Sequence, residues 1–191
     1  MSSSVDNFVF GSGTAEKEAL KNANIPGQQS LILVLGERME NWFAVDHLDV
    51  ERLLADWRWL CPRRMTLIAR SAFGDLFLRD ESGEVFLLDV AVGKLAIIAD
   101  SEDQFRKLAA THEKREEWFA ETDEQAAAAR GLKPNASECI GFSVPLVFAE
   151  SGSSDTPYVC DLYDHVSFLG DLNRQISSLP DGTKVRIKVV P

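Results

Sequence analysis

The chain has 191 residues, 45% of them hydrophobic, and 30 Asp and Glu against 20 Lys and Arg give a formal charge of −10. That is enough material for one sizeable core, and the negative balance excludes charge-led binding to nucleic acid phosphates or anionic membranes. No apolar run approaches the roughly 20 residues of a membrane span, and Met1-Ser2-Ser3-Ser4-Val5-Asp6 has neither the basic nor the apolar region of a secretory signal, so the expected location is the cytoplasm.

Residues 1–30 are rich in Ser, Gly, Asn and Gln and predict a weakly ordered arm; Ala15 to Ala23 is its one helical stretch, and Gly11, Gly13, Pro26 and Gly27 punctuate the rest. Residues 31–191 are expected to form a single domain. Leu31 to Leu35 is too short an apolar run for periodicity to separate strand from helix. Asp49 reads as the N-cap of a helix whose apolar face is Val50, Leu53, Leu54 and Trp57, stopped by Pro62. A block of strands follows: Met65–Ala69, Leu76–Leu78, Val85–Leu88 and Leu95–Ala99, with turns at Gly74-Asp75, Asp80-Glu81-Ser82-Gly83 and Ala91-Val92-Gly93-Lys94. Successive strands at this spacing predict an antiparallel meander.

Helical sequence resumes at Ser101-Glu102-Asp103-Gln104, a capping box with Phe105, Leu108 and Ala109 facing inward. A second stretch holds Trp118 and Phe119, and a third runs Asp123–Arg130 with Gly131 as its C-cap. Ile140–Phe148 reads as a strand whose Pro145 places it at an edge or bulge. Ser151–Asp155 predicts a flexible loop and Tyr158–Tyr163 another strand. Asp164 is the expected cap of a helix with Val166, Leu169, Leu172, Ile176 and Leu179 on one face, ended by Pro180-Asp181-Gly182. Val185–Val189 alternates as a last strand. Strands in a block between helical blocks predict an α+β fold, an antiparallel sheet flanked by helices.

Motifs that carry chemistry are scarce. Gly11-Ser12-Gly13 lacks the third glycine, the Lys-Ser/Thr ending and the preceding strand of a phosphate loop. There is no GxSxG elbow, no HExxH and no EF-hand spacing. Cys61, Cys139 and Cys160 are widely spaced and expected to be reduced, with no zinc-binding cluster. The best catalytic arrangement is Cys160, Asp161 and His165, a nucleophile, carboxylate and base close in sequence. Against it, Cys160 falls inside an apolar strand and His165 opens a helix. The expectation is therefore a protein that is not an enzyme and takes no cofactor or metal.

Binding surfaces are more evident. In Trp42-Phe43 and Trp118-Phe119 both rings of a pair cannot point inward on one helix face, so one of each can anchor a partner; burial against a second layer is the simpler reading. Asp75, Asp80, Glu81, Glu84, Asp89, Asp100, Glu102 and Asp103 form a dense acidic set opposed within the segment by Arg79 and Lys94. Asp75, Asp80, Glu81, Glu84, Asp89, Glu102 and Asp103 are the candidate partner-binding residues. The same set also fits a solvent-facing edge that resists aggregation.

Four segments carry a resemblance: Phe73-Gly74-Asp75-Leu76-Phe77-Leu78; Val85 to Leu95; Asp164-His165-Val166-Ser167-Phe168-Leu169-Gly170-Asp171-Leu172; and Pro180-Asp181-Gly182-Thr183-Lys184-Val185. In this order, over roughly residues 48–190, the chain resembles the Tdi-type immunity protein domain of type VI secretion, related to the SMI/KNR-like immunity families. The resemblance implies a cytoplasmic, non-catalytic binder that neutralises a secreted toxin, typically a nuclease, by direct occlusion, with a basic cognate toxin as partner and neither nucleic acid nor membrane. Two alternatives stand beside it: a regulatory or scaffold module for another protein, and a cysteine-dependent hydrolase using Cys160 and His165.

Overall fold

The computed structural model describes residues 41–148, 156–180 and 182–185. The predicted arm over 1–30, the run Leu31–Leu35, the loop Ser151–Asp155 and residues 186–189 of the predicted last strand lie outside them. From Trp42 onward the chain forms one α+β unit. Its centre is a four-stranded antiparallel meander in the order β1-β2-β3-β4: β1 Thr66–Arg70, β2 Leu76–Arg79, β3 Val85–Asp89 and β4 Lys94–Ala99. The Asp80–Gly83 turn closes through the Gly83 amide to the Asp80 carbonyl at 3.1 Å, with Gly83 at φ +95, backbone that glycine adopts without a Cβ penalty.

Alternation along the strands makes a three-layer structure. Leu76 pairs with Leu88 and Leu78 with Phe86, so these side chains share one face. That face packs on Leu53, Leu54 and Trp57 and on Leu162, Val166 and Leu169. Phe77 points the other way, with its ring centroid 4.6 Å from Phe119 and 5.1 Å from Phe105. Helices thus cover both faces. α1 (Val50–Leu53), a 3-10 turn (Ala55–Trp57) and α5 (Leu162–Ile176) lie on one side; α2 (Glu102–Ala109), α3 (His112–Phe119) and α4 (Glu121–Ala129) supply the other. β4 is the open edge, with Ile97 56% exposed.

Helix ends follow local chemistry. Asp49 caps α1 by accepting from the Glu51 and Arg52 amides. Ser101 accepts from the Gln104 amide, and the Gln104 side-chain oxygen accepts from the Asp100 amide, one residue before the cap, at 2.6 Å, so the predicted box closes in a shifted form. Between α3 and α4 the chain turns at Ala120, which holds φ +48 and serves both helices as a cap. α4 consequently begins at Glu121 rather than Asp123, and Gly131 closes it at φ +86.

Three predicted boundaries are corrected. The strand expected over Ile140–Phe148 is β5, Glu138–Phe142, and Pro145 lies beyond it in a turn closed from the Phe148 amide. The strand expected over Tyr158–Tyr163 is β6, Pro157–Asp161. Asp161, not Asp164, caps α5: it accepts from the Tyr163 and Asp164 amides at 2.9 and 3.0 Å, which starts the helix at Leu162 and leaves Asp164 exposed in the first turn. Leu179, predicted on the inner face of that helix, lies past its end and is exposed. β5 and β6 form a separate antiparallel ribbon with Cys139 opposite Cys160.

Candidate functional site

Below the ribbon, α5 and the α3–α4 junction enclose a cleft of about 250 Å³. Ile140 and Leu169 form its floor, both buried. Phe73 and Phe142 stack with centroids 6.0 Å apart and make one wall. The rim is unusual: Leu146, Tyr158 and Phe168 line the cleft and are 45%, 46% and 43% exposed. Large apolar side chains gathered at a concave site are the surface type that ligands and partners cover.

Into this apolar setting the fold turns three carboxylates, Asp75, Asp89 and Asp123, and the His165 imidazole. Asp75 follows the β1–β2 turn. Its carboxylate accepts from the Ser71 hydroxyl at 2.9 Å and the Val90 amide at 3.1 Å. Burial, reinforced by repulsion from Asp89, still pushes its pKa up to about 6. Asp89, at the end of β3, accepts from the Val92 amide in the next turn. A cation entering the cleft would relieve the repulsion between these two carboxylates.

At the ribbon the fold assembles a second cluster. The sulfurs of Cys139 and Cys160 are 3.7 Å apart, and a ring nitrogen of His165 lies within 4.8 Å of both. Sequence proximity suggested Cys160 with His165; the strand register adds Cys139. Burial raises the pKa of both thiols and lowers that of His165. Asp161, the carboxylate expected to orient His165, is committed to the α5 cap. The arrangement therefore holds neutral thiols beside a neutral imidazole and lacks the depressed thiol pKa of an activated cysteine nucleophile. Cys61 is buried elsewhere in the core, with its pKa pushed up to about 11.

The candidate partner-binding residues separate. Asp75 and Asp89 enter the cleft. Asp80 is buried in its turn, held below the usual carboxylate range by the Ser82 hydroxyl, the Ser82 amide and Arg63. Glu102 pairs with Arg79 at 2.8 Å and Arg106 at 2.7 Å, so its charge is largely matched. Glu84 is half-buried, while Glu81 and Asp103 are exposed. The acidic set is thus not one continuous face. For the aromatic pairs the simpler reading, burial against a second layer, holds: Trp42, Trp118 and Phe119 are buried and Phe43 half-buried, with Trp42 stacked on Phe119 at 4.1 Å.

Sequence reasoning missed Tyr158, Phe142, Phe168, Asp123 and Cys139 as site residues. The available signal for the last of these was a Cys beside each of two strand-like runs: Cys139 directly before Ile140–Phe148 and Cys160 within Tyr158–Tyr163. No protein-family model, curated protein or solved structure matches the chain. Among the described residues no helix is long and apolar enough to cross a membrane.

Proposed function

We propose that the protein acts by binding another protein, and that the partner inserts a basic, partly apolar segment into the cleft between the β5–β6 ribbon, α5 and the α3–α4 junction. One observation carries this reading: exposed Leu146, Tyr158 and Phe168 rim a cleft that Asp75, Asp89 and Asp123 line. Apolar rim residues supply contact area, and the carboxylates select a Lys or Arg. The formal charge of −10 adds long-range steering toward a basic surface. The partner class that fits is a basic toxin, a nuclease above all, whose nucleic-acid cleft the acidic chain would occlude. This is also what the resemblance to the Tdi-type immunity domain implies, and it makes the protein a non-catalytic immunity protein.

The test is capture of the product of the adjacent gene by the tagged full chain, at low and high salt, beside a Tyr158→Ser, Phe168→Ser double variant shown to be folded by circular dichroism. The expected result is a complex that weakens with salt and loses about thirtyfold or more in affinity in the double variant, as truncated interface anchors do at about 2 kcal/mol or more. No complex at either salt would defeat the immunity reading. A complex untouched by the double variant would defeat the assignment to this cleft.

A further inference from the structure

The geometry points to a metal site at Cys139, Cys160 and His165: a tetrahedral Cys₂His centre for a thiolate-preferring divalent ion of the zinc class, with its fourth position open to water or an outside donor. Two sulfurs bound to zinc at about 2.3 Å and the tetrahedral angle lie about 3.8 Å apart. The two Sγ atoms here are 3.7 Å apart, so the thiol pair already has the separation that a shared metal needs. A sulfur and an imidazole nitrogen on one zinc lie about 3.6 Å apart. All three donor atoms fall within 4.8 Å of one another, so the ring has only about 1 Å to close.

Two further features fit a ligand set better than a packed core. Cys139 and Cys160 face each other across the ribbon by register, and His165 sits in the first turn of α5, so the donors come from three elements in fixed relation. Two glycines make the room. A Cβ at Gly141 would lie 3.1 Å from the Cys160 sulfur and 3.2 Å from His165 Nδ1, and a Cβ at Gly74 would lie 3.2 Å from His165 Cδ2. The alternative chemistry of this pair, a disulfide, requires the sulfurs to close to about 2.05 Å and gives the imidazole no part.

Binding is acid–base chemistry without electron transfer. Each thiol releases its proton to solvent and binds as thiolate, and the imidazole binds neutral, so a filled site has released two protons per ion. The ion would tie β5, β6 and the start of α5 together behind the Tyr158 rim. This inference does not depend on the proposed partner.

The experiment is titration of the reduced full chain with cobalt(II), followed by back-titration with zinc. Expected are the visible ligand-field bands of a tetrahedral site and thiolate charge-transfer absorption, saturating at one ion per chain and removed by zinc. Cys160→Ser and His165→Ala should each weaken cobalt binding by at least tenfold, since even loss of an outer-sphere partner costs roughly 10–100-fold, while Cys61→Ser should leave the spectrum unchanged. Because Cys139 is buried and its variant can misfold, Cys160 and His165, both half-buried, carry the test, with folding checked by circular dichroism. The proposal is overturned if the reduced, folded chain gives no tetrahedral spectrum, if the spectrum survives Cys160→Ser, or if it is lost in a Cys61→Ser chain that circular dichroism shows to be folded.

Discussion

Replacing Asp75 by Asn probes how the cleft carries its charge. Burial and Asp89 together lift the Asp75 pKa from 3.8 to about 6. A carboxyl with a folded pKa above its unfolded value binds its proton more tightly in the folded state. Its stabilisation is therefore complete below the unfolded value, near 3.8, and is lost as pH rises through about 6. At roughly 1.4 kcal/mol per pKa unit, that rise is worth up to about 3 kcal/mol. Asn keeps an acceptor for the Val90 amide but removes the acceptor of the Ser71 hydroxyl, which costs about 1 kcal/mol at every pH. The stability difference, variant minus wild type, should accordingly move in the variant's favour by up to about 3 kcal/mol between about pH 4 and about pH 7. Urea unfolding of both proteins across that range measures it, and titrating groups not coupled to Asp75 cancel in the difference, while Asp89, relieved of its neighbour's charge, does not. A difference that is flat, or that turns against the variant as pH rises, would refute the argument.

Gly93→Ala should destabilise by about 2–4 kcal/mol in the same urea assay, because Gly93 sits at φ +68 and its Cβ would lie 2.6 Å from the Asn173 side-chain oxygen. The displaced Asn173 would lose its bonds to the Val90 and Leu169 carbonyls, joining the β3–β4 turn to α5. Ala120→Gly should do the opposite: Ala120 holds φ +48, and removing its Cβ relieves about 1–2 kcal/mol of left-handed strain, partly offset by the entropy glycine adds to the unfolded chain. A net gain of about 0.5 kcal/mol is expected; a loss of that size would mean the turn is not strained.

Legibility tracked how local the determining interaction is. Leu76-Phe77-Leu78 and Val85–Leu88, bounded by glycine turns, announce a meander because side-chain alternation and turn chemistry act within a few residues. Ser101 and Gln104 likewise announce a helix start. The α5 boundary was misplaced because Asp161 and Asp164 are equally good caps in isolation, and only the Leu162 amide bonding the Ser137 carbonyl at 2.9 Å fixes where β6 ends. In the aromatic pairs, adjacent Trp118 and Phe119 can both be buried because two helices and the sheet converge on Phe77. Charge was visible, but its placement was not. Asp75 and Asp89 read as surface acids until the β1–β2 turn folds one inward and the end of β3 brings the other beside it. Cys139 with Cys160 depends on a register across 21 residues, which neither strand encodes alone.

Among the described residues the β5–β6 ribbon has two strands of five residues and no third neighbour. Such ribbons are marginal alone, and this one hangs from the meander by the Ile140 amide to the Ala72 carbonyl at 2.8 Å. In native-state hydrogen exchange its ladder amides should therefore be released together, at a lower opening free energy than those of β2 and β3. Tyr158, both thiols and the Ile140 floor ride on that cooperative unit. An occupant bound there would register first as slowed exchange of the amides of these two strands, before any change in the global unfolding midpoint.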